Sequence, residues 1–214
     1  MIRNFTRAFT LIELLIVIAV VAILATIAYP VFIGIEEKAK ITKDMNNLRQ
    51  IGIATQLYLN DNDGAFPGSP TVAWMGQLHP KYLAAWNIFQ SPFDVRGPSE
   101  QGNATTPVSY GINGNNIVGT SADNISNASI FILFAPAQAA GATVTFQGTA
   151  LTAAPGVTVL RATSPGGPAI GGTHSSRQKV NALFADLHLE NMTWSVFTNT
   201  PAGSDPSAAQ RWTP

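Results

Sequence analysis

Residues 9–33 are apolar at nearly every position, and the one charge among them is Glu13. About 24 residues in a helix rise roughly 36 Å, enough to cross a hydrocarbon core. The pattern then changes. Ile41, Met45, Leu48, Gly52, Thr55 and Leu59 recur at steps of three and four, which places them on one helical face. Glu36 and Lys40, and Lys40 and Asp44, have the spacing that pairs opposite charges on a helix surface. No proline occurs between Pro30 and Pro67. The pattern predicts one helix over residues 9–60, membrane-spanning over 9–33 and amphipathic over 34–60. Its stripe is expected to pack on the rest of the chain. Asp61-Asn62-Asp63-Gly64 closes the helix with short polar side chains followed by glycine.

Residues 61–214 alternate differently. Short apolar strings are separated by Gly, Pro, Ser, Thr and Asn. Residues 129–135 read as a buried strand, and 143–147 and 156–161 as weaker ones. Residues 180–185 and 187–196 read as a hairpin turning at Asp186. Residues 74–89 read as a short helix or irregular segment broken by Pro80. Gly166-Gly167 and Gly171-Gly172 mark a mobile loop between strands. The fold class is α+β: a long amino-terminal helix packed against a mainly antiparallel β head.

Charged residues make up 11% of the 214 positions, against roughly 25% in soluble domains. Twelve basic and twelve acidic residues leave no net charge, so nothing in the balance points to nucleic acid. The chain has no cysteine, which excludes disulfides and Cys-based metal or redox sites. The head must be held by core packing.

Against this background Glu13 is expensive. A carboxylate at bilayer depth costs about 2.5–3.5 kcal/mol on insertion scales. Arg3 and Arg7 precede it, with no acid among residues 1–8. That positive flank keeps the amino end cytoplasmic and puts the bulk of the chain outside. A secretory signal would have a shorter apolar region and a small-x-small cleavage site. Here the run is longer, and Thr26-Ile27-Ala28 is a poor site. An ordinary single-pass anchor accounts for length and topology but has no use for Glu13.

Arg7-Ala8-Phe9-Thr10-Leu11-Ile12-Glu13 resembles the prepilin signal of type IV pilins and type II secretion pseudopilins. The resemblance implies that a prepilin peptidase removes a leader, residues 1–8, by cutting between Ala8 and Phe9, and that Phe9 is then N-methylated. Ala8 departs from the Gly most common before the cut. Pro30 falls where many such pilins carry a helix-distorting proline, and a mid-helix proline removes a backbone bond. The implied product is a pilin-fold subunit of a homo- or hetero-polymeric filament, a pilus or a secretion pseudopilus. It would be held first in inner-membrane lipid and then assembled in the periplasm or at the cell surface. An assembly platform protein and its ATPase are the implied partners. In a staggered helical stack, the new amine of Phe9 in one subunit can approach Glu13 of its neighbour. Opposite charges about 4 Å apart attract by several kcal/mol at moderate effective dielectric.

Several head strings resemble a bacterial pseudopilin-like family whose head carries a processing-associated motif of His, nine residues, then Asp-Gly. They are Pro80-Lys81-Tyr82-Leu83, Phe89-Gln90-Ser91-Pro92-Phe93-Asp94, Ser109-Tyr110-Gly111-Ile112-Asn113, and the run from Val180 to Asp186-Leu187-His188. Two departures bear on the motif. Eleven residues separate His174 from Asp186, and Leu187 stands where the family has Gly, so the turn is expected to differ locally. Ser91 stands where relatives commonly have Cys, consistent with a lost disulfide.

No cofactor is expected. The weak candidates for a metal are Asp61, Asp63 and Asp186, with Ca²⁺ the cation, since some secretion pseudopilins bind it in head loops. Asp61–Gly64 lacks the downstream Glu of an EF-hand and reads better as a turn. His174, Asp186 and His188 could be drawn as a metal set, but their surroundings read as a hairpin. No Gly-x-Ser-x-Gly string is present, and the chain reads as no enzyme. The alternative function is a membrane-tethered, non-polymerising module that binds a glycan or Ca²⁺. Trp74, Trp86, Trp194 and Trp212 are read as core before ligand platform.

Overall fold

A computed structural model describes residues 10–68, 73–94, 109–113, 117–136, 145–146, 171–198 and 210–211. Its first element, α1, runs from Leu11 to Asp61. Residues 1–39 and 40–214 form two compact units.

In the first unit every side chain from position 10 to 33 is exposed. By length and composition this stretch is able to cross a membrane. Pro30 lies inside the helix and has no N–H to donate. One turn earlier, the Thr26 hydroxyl donates to the Ile23 carbonyl at 2.7 Å.

In the second unit α1 buries Asp44, Asn47, Leu48, Ile51, Gly52, Ala54, Thr55 and Leu59. Four members of the expected stripe are among them. Ile41 and Met45 are half-buried, and two polar residues, Asp44 and Asn47, take part in the buried face. The surface role expected for Asp44 is therefore corrected: its carboxylate lies in the core. A turn ends the helix as expected. Asp63 and Gly64 have φ of 52° and 74°, and the Gly64 amide donates back to Leu59.

The head contains α2 (Trp74–Leu78), a 3₁₀ turn (Trp86–Phe89), β1 (Tyr110–Asn113), β2 (Ile132–Pro136), β3 (Thr145–Phe146), β4 (Lys179–Phe184), β5 (Leu189–Thr193) and α3 (Trp194–Thr198). The strands lie in the order β3-β1-β2-β4-β5. β1 pairs antiparallel with β2, β2 with β4 and β4 with β5, while β3 runs parallel to β1. β5 is the last strand on its side among the described residues.

The hairpin at Asp186 is present, with Lys179 opposite Thr193 and Leu183 opposite Leu189. Its second arm is shorter than expected. After Thr193 the chain turns into α3, where the Thr193 hydroxyl accepts from the Val196 amide at 3.3 Å. β2 begins three residues later than the apolar string, because the Ile130 and Phe131 amides first turn back to the Asn127 carbonyl. β1 is a strand that its sequence, with Gly111 at its centre, does not announce. Residues 156–161 and Gly166-Gly167 lie outside the described residues. Gly171-Gly172, expected in a loop between strands, is closely packed. Both glycines are buried, the Gly172 amide donates to Arg177 at 2.7 Å, and a Cβ there would overlap the Lys179 backbone.

Side-chain alternation along the strands divides the core. On one face Leu183, Ile112 and Phe134 pack with Leu48 and Ile51 of α1 and with α2. Trp74 meets Phe134 and Phe89 there, with ring centroids 4.9 and 5.6 Å apart. On the other face Val180, Ala182, Phe184, Ile132 and Met192 pack with Phe197 of α3. Gly52 lies close against the sheet. A Cβ at Gly52 would lie 2.8 Å from Leu183 Cδ2 and 3.2 Å from Leu187 Cδ2. Leu187 takes φ 71°, the left-handed conformation that glycine adopts most easily.

Candidate functional site

Two groups of side chains carry chemistry. The first opens α1. Thr10 and Glu13 are three residues apart at its start, and they bond reciprocally. The Thr10 amide and hydroxyl donate to Glu13 Oε2 at 2.9 and 2.8 Å, and the Glu13 amide donates to the Thr10 hydroxyl at 3.3 Å. This is a capping box, in which a side chain on each residue satisfies a backbone donor of the other. The Thr-x-x-Glu spacing is its signature in sequence. The reading of Glu13 as a lone membrane charge passed over it. Ala8 and Phe9 lie outside the described residues.

The second group is buried in the head. Asp44 Oδ1 accepts from the Ser91 hydroxyl at 2.7 Å and from the Tyr110 hydroxyl at 2.6 Å, and Oδ2 accepts from Asn181 Nδ2 at 2.8 Å. Beside it, Asn47 donates to the Gln90 carbonyl at 2.9 Å. Three donors converging on one carboxyl form a cradle for a carboxylate. Burial pushes the Asp44 carboxyl above its usual range, and those three bonds act against the shift. Burial likewise pushes the Tyr110 phenol well up, and the Asp44 charge adds to it. Ser91 thus has a hydrogen-bonding role at a position where a cysteine would be a weaker donor.

The metal candidates do not converge. Asp61 is bonded to Lys81 at 2.8 Å and to the Tyr82 hydroxyl at 3.0 Å, and the Lys81 bond holds its carboxyl below the usual range. Asp63 sits in the turn that ends α1. Asp186 Oδ1 faces His188 Nδ1 at 2.5 Å in the β4–β5 turn, where the imidazole stacks on Phe184. His174 is elsewhere, against Asn191 of β5 and stacked on Phe93. Among the described residues no three His, Asp or Glu side chains could hold one ion. Trp74 is core, Trp86 and Trp194 are half-buried, and Trp212 lies outside the described residues.

Comparison with known proteins bears on the first group. A model of the prokaryotic N-terminal methylation motif matches residues 3–29. Over 57 residues the chain is 40% identical to the type IV major pilin protein PilA of Myxococcus xanthus. That match covers 27% of this chain and 26% of that pilin, so the similarity spans about a quarter of either protein. No solved structure matches. The methylation-motif match lies wholly on the amino-terminal segment. Over residues 3–29 the chain carries the prokaryotic N-terminal methylation motif, and over a quarter of its length it is similar to a type IV major pilin.

Proposed function

We propose that the chain is the structural subunit of a type IV pilin-like filament, assembled through its amino-terminal helix after removal of the leader. The observation that carries this is the combination of the methylation motif with an exposed apolar stretch of α1. Exposed apolar side chains over residues 11–33 cost free energy in water and require lipid or other helices around them. Prepilin peptidase cuts between Ala8 and Phe9 and the new amine is methylated. The subunit waits in the inner membrane with its amino end cytoplasmic and its head outside. A platform protein and ATPase then lift it into the polymer, where Glu13 meets the amine of a neighbouring Phe9. Pro30 loosens the apolar stretch so that it can adapt to packing.

Sequencing the amino terminus of the membrane-extracted protein tests this reading. A chain beginning at methylated Phe9 is expected. An intact Met1 would sink the reading in favour of a tethered, non-polymerising module. The Glu13→Ala variant is expected to fold its head normally and to be absent from filaments. Deleting the gene and scoring both surface pili and secreted protein would then assign the filament to one class or the other.

A further inference from the structure

His174 stands at the end of a line of side chains that begins on α1. Asn181 Nδ2 donates to Asp44 Oδ2 at 2.8 Å. Asn181 Oδ1 receives Asn191 Nδ2 at 2.7 Å. The same Asn191 nitrogen lies 2.6 Å from His174 Nε2, and the Thr173 hydroxyl lies 2.9 Å from His174 Nδ1.

Each asparagine amide has one donor end and one acceptor end, and reversing it exchanges both. A reversed Asn181 would aim its oxygen at the Asp44 carboxylate, so the carboxylate fixes its orientation. With Asn181 fixed, a reversed Asn191 would set oxygen against oxygen, so Asn191 is fixed too. Its nitrogen has two hydrogens. One goes to Asn181 and the other points at His174 Nε2, which must accept. A neutral imidazole accepting at Nε2 carries its proton on Nδ1, where the Thr173 oxygen receives it.

We propose that Asp44 dictates the tautomer of His174 through these two amides, and that His174 is the head-side end of a latch onto α1. The latch crosses β4 and β5 and ends where Ser175, Ser176 and Arg177 take φ of 52°, 54° and 66° in succession. Non-glycine residues rarely adopt that conformation in a run. A buried, directionally bonded histidine beside it anchors the turn to the sheet. Asn181 and Asn191 face each other across β4 and β5, which is why one bond between them carries the orientation onward.

The test is the ring ¹⁵N spectrum of the full chain, histidine-labelled, in detergent micelles at neutral pH. His79→Gln and His188→Gln variants identify the His174 signals. A protonated, pyrrole-like Nδ1 and a pyridine-like Nε2 are expected for His174. In Asp44→Asn the amide can offer Asn181 either a nitrogen or an oxygen, and the spectrum should move to a mixture of tautomers. Ser91→Ala removes a donor from Oδ1 while leaving Oδ2 on Asn181, and it should keep the wild-type tautomer. A wild-type proton on Nε2, or an unchanged tautomer in Asp44→Asn, overturns the proposal. Should Asp44→Asn fail to fold, Asn191→Ala cuts the same line at an exposed position. The proposal is upheld if that variant loses its preference for Nδ1 and overturned if it retains it.

Discussion

The Tyr110 hydroxyl donates to Asp44 Oδ1 at 2.6 Å, so a phenol on β1 holds a helix carboxylate inside the head. A buried carboxylate is costly unless its lone pairs are taken up, and Tyr110 supplies one of three donors. Tyr110→Phe keeps the ring and removes the donor. The expected loss is about 1.5–3 kcal/mol of head stability, the usual value of a bond to a charged group. Denaturant melts of the full chain in detergent measure it. An unchanged midpoint would mean that the phenol contributes nothing to the cradle.

Acidity should act on this carboxylate in an unusual direction. Burial raises the folded-state pKa of Asp44 above its ordinary 3.8, so the folded chain binds the proton more tightly than the unfolded chain. Stability from this group therefore falls as pH rises from 3.8 to the raised folded value, and returns on acidification. Asp61 has the opposite sign, because Lys81 lowers its pKa; its contribution is present above 3.8 and lost below the lowered value. Asp44→Asn removes the first effect and leaves the second. The stability difference between wild type and Asp44→Asn should therefore shift toward wild type as pH drops through that window. A difference independent of pH would count against the assignment.

Gly52 tests how closely α1 lies on the sheet. Alanine is a better helix former than glycine by about 1 kcal/mol. Its methyl would come 2.8 Å from Leu183 Cδ2, and Leu183 is fully buried. Overpacking of this kind costs about 1–3 kcal/mol, so Gly52→Ala should be destabilising on balance. Adding Leu183→Ala should then cost less than the same change in the wild type. Additive losses in that double-mutant cycle would rule out the contact.

Glu13→Gln separates the two uses of Glu13. Glutamine at this position still completes a capping box with Thr10, but it carries no charge. Helix content by circular dichroism should match the wild type. If the charge is what a neighbouring subunit reads, incorporation into filaments should fail as fully as in Glu13→Ala. Filaments at wild-type level from Glu13→Gln would assign Glu13 to capping alone.

Much of the fold was legible because its signals are local. The apolar stretch, the three-and-four stripe through Leu48 and Leu59, and the turn at Asp186 each depend on neighbours within a few residues. Asp44 was not legible for the converse reason. At helical spacing from Lys40 it reads as a surface charge, and its burial depends on Asn181, 137 positions away. β1 was missed because four residues centred on glycine carry little strand signal until β2 lies beside them. The end of β5 was overrun because Thr193 is a good strand residue that also serves as a cap for α3. The capping box was visible as Thr10-x-x-Glu13, but the membrane setting drew attention to the charge and away from its neighbour.

The position of β5 bears on solubility at high local concentration. A terminal strand with free backbone groups invites pairing with another copy, and amyloid-like growth is the extreme outcome. Here the strand is five residues long, exposes Glu190 and Asn191, and passes directly into α3. A short edge bearing a carboxylate and ending in a helix makes a poor template for strand addition. Backbone pairing between two copies of the head is therefore disfavoured at this edge.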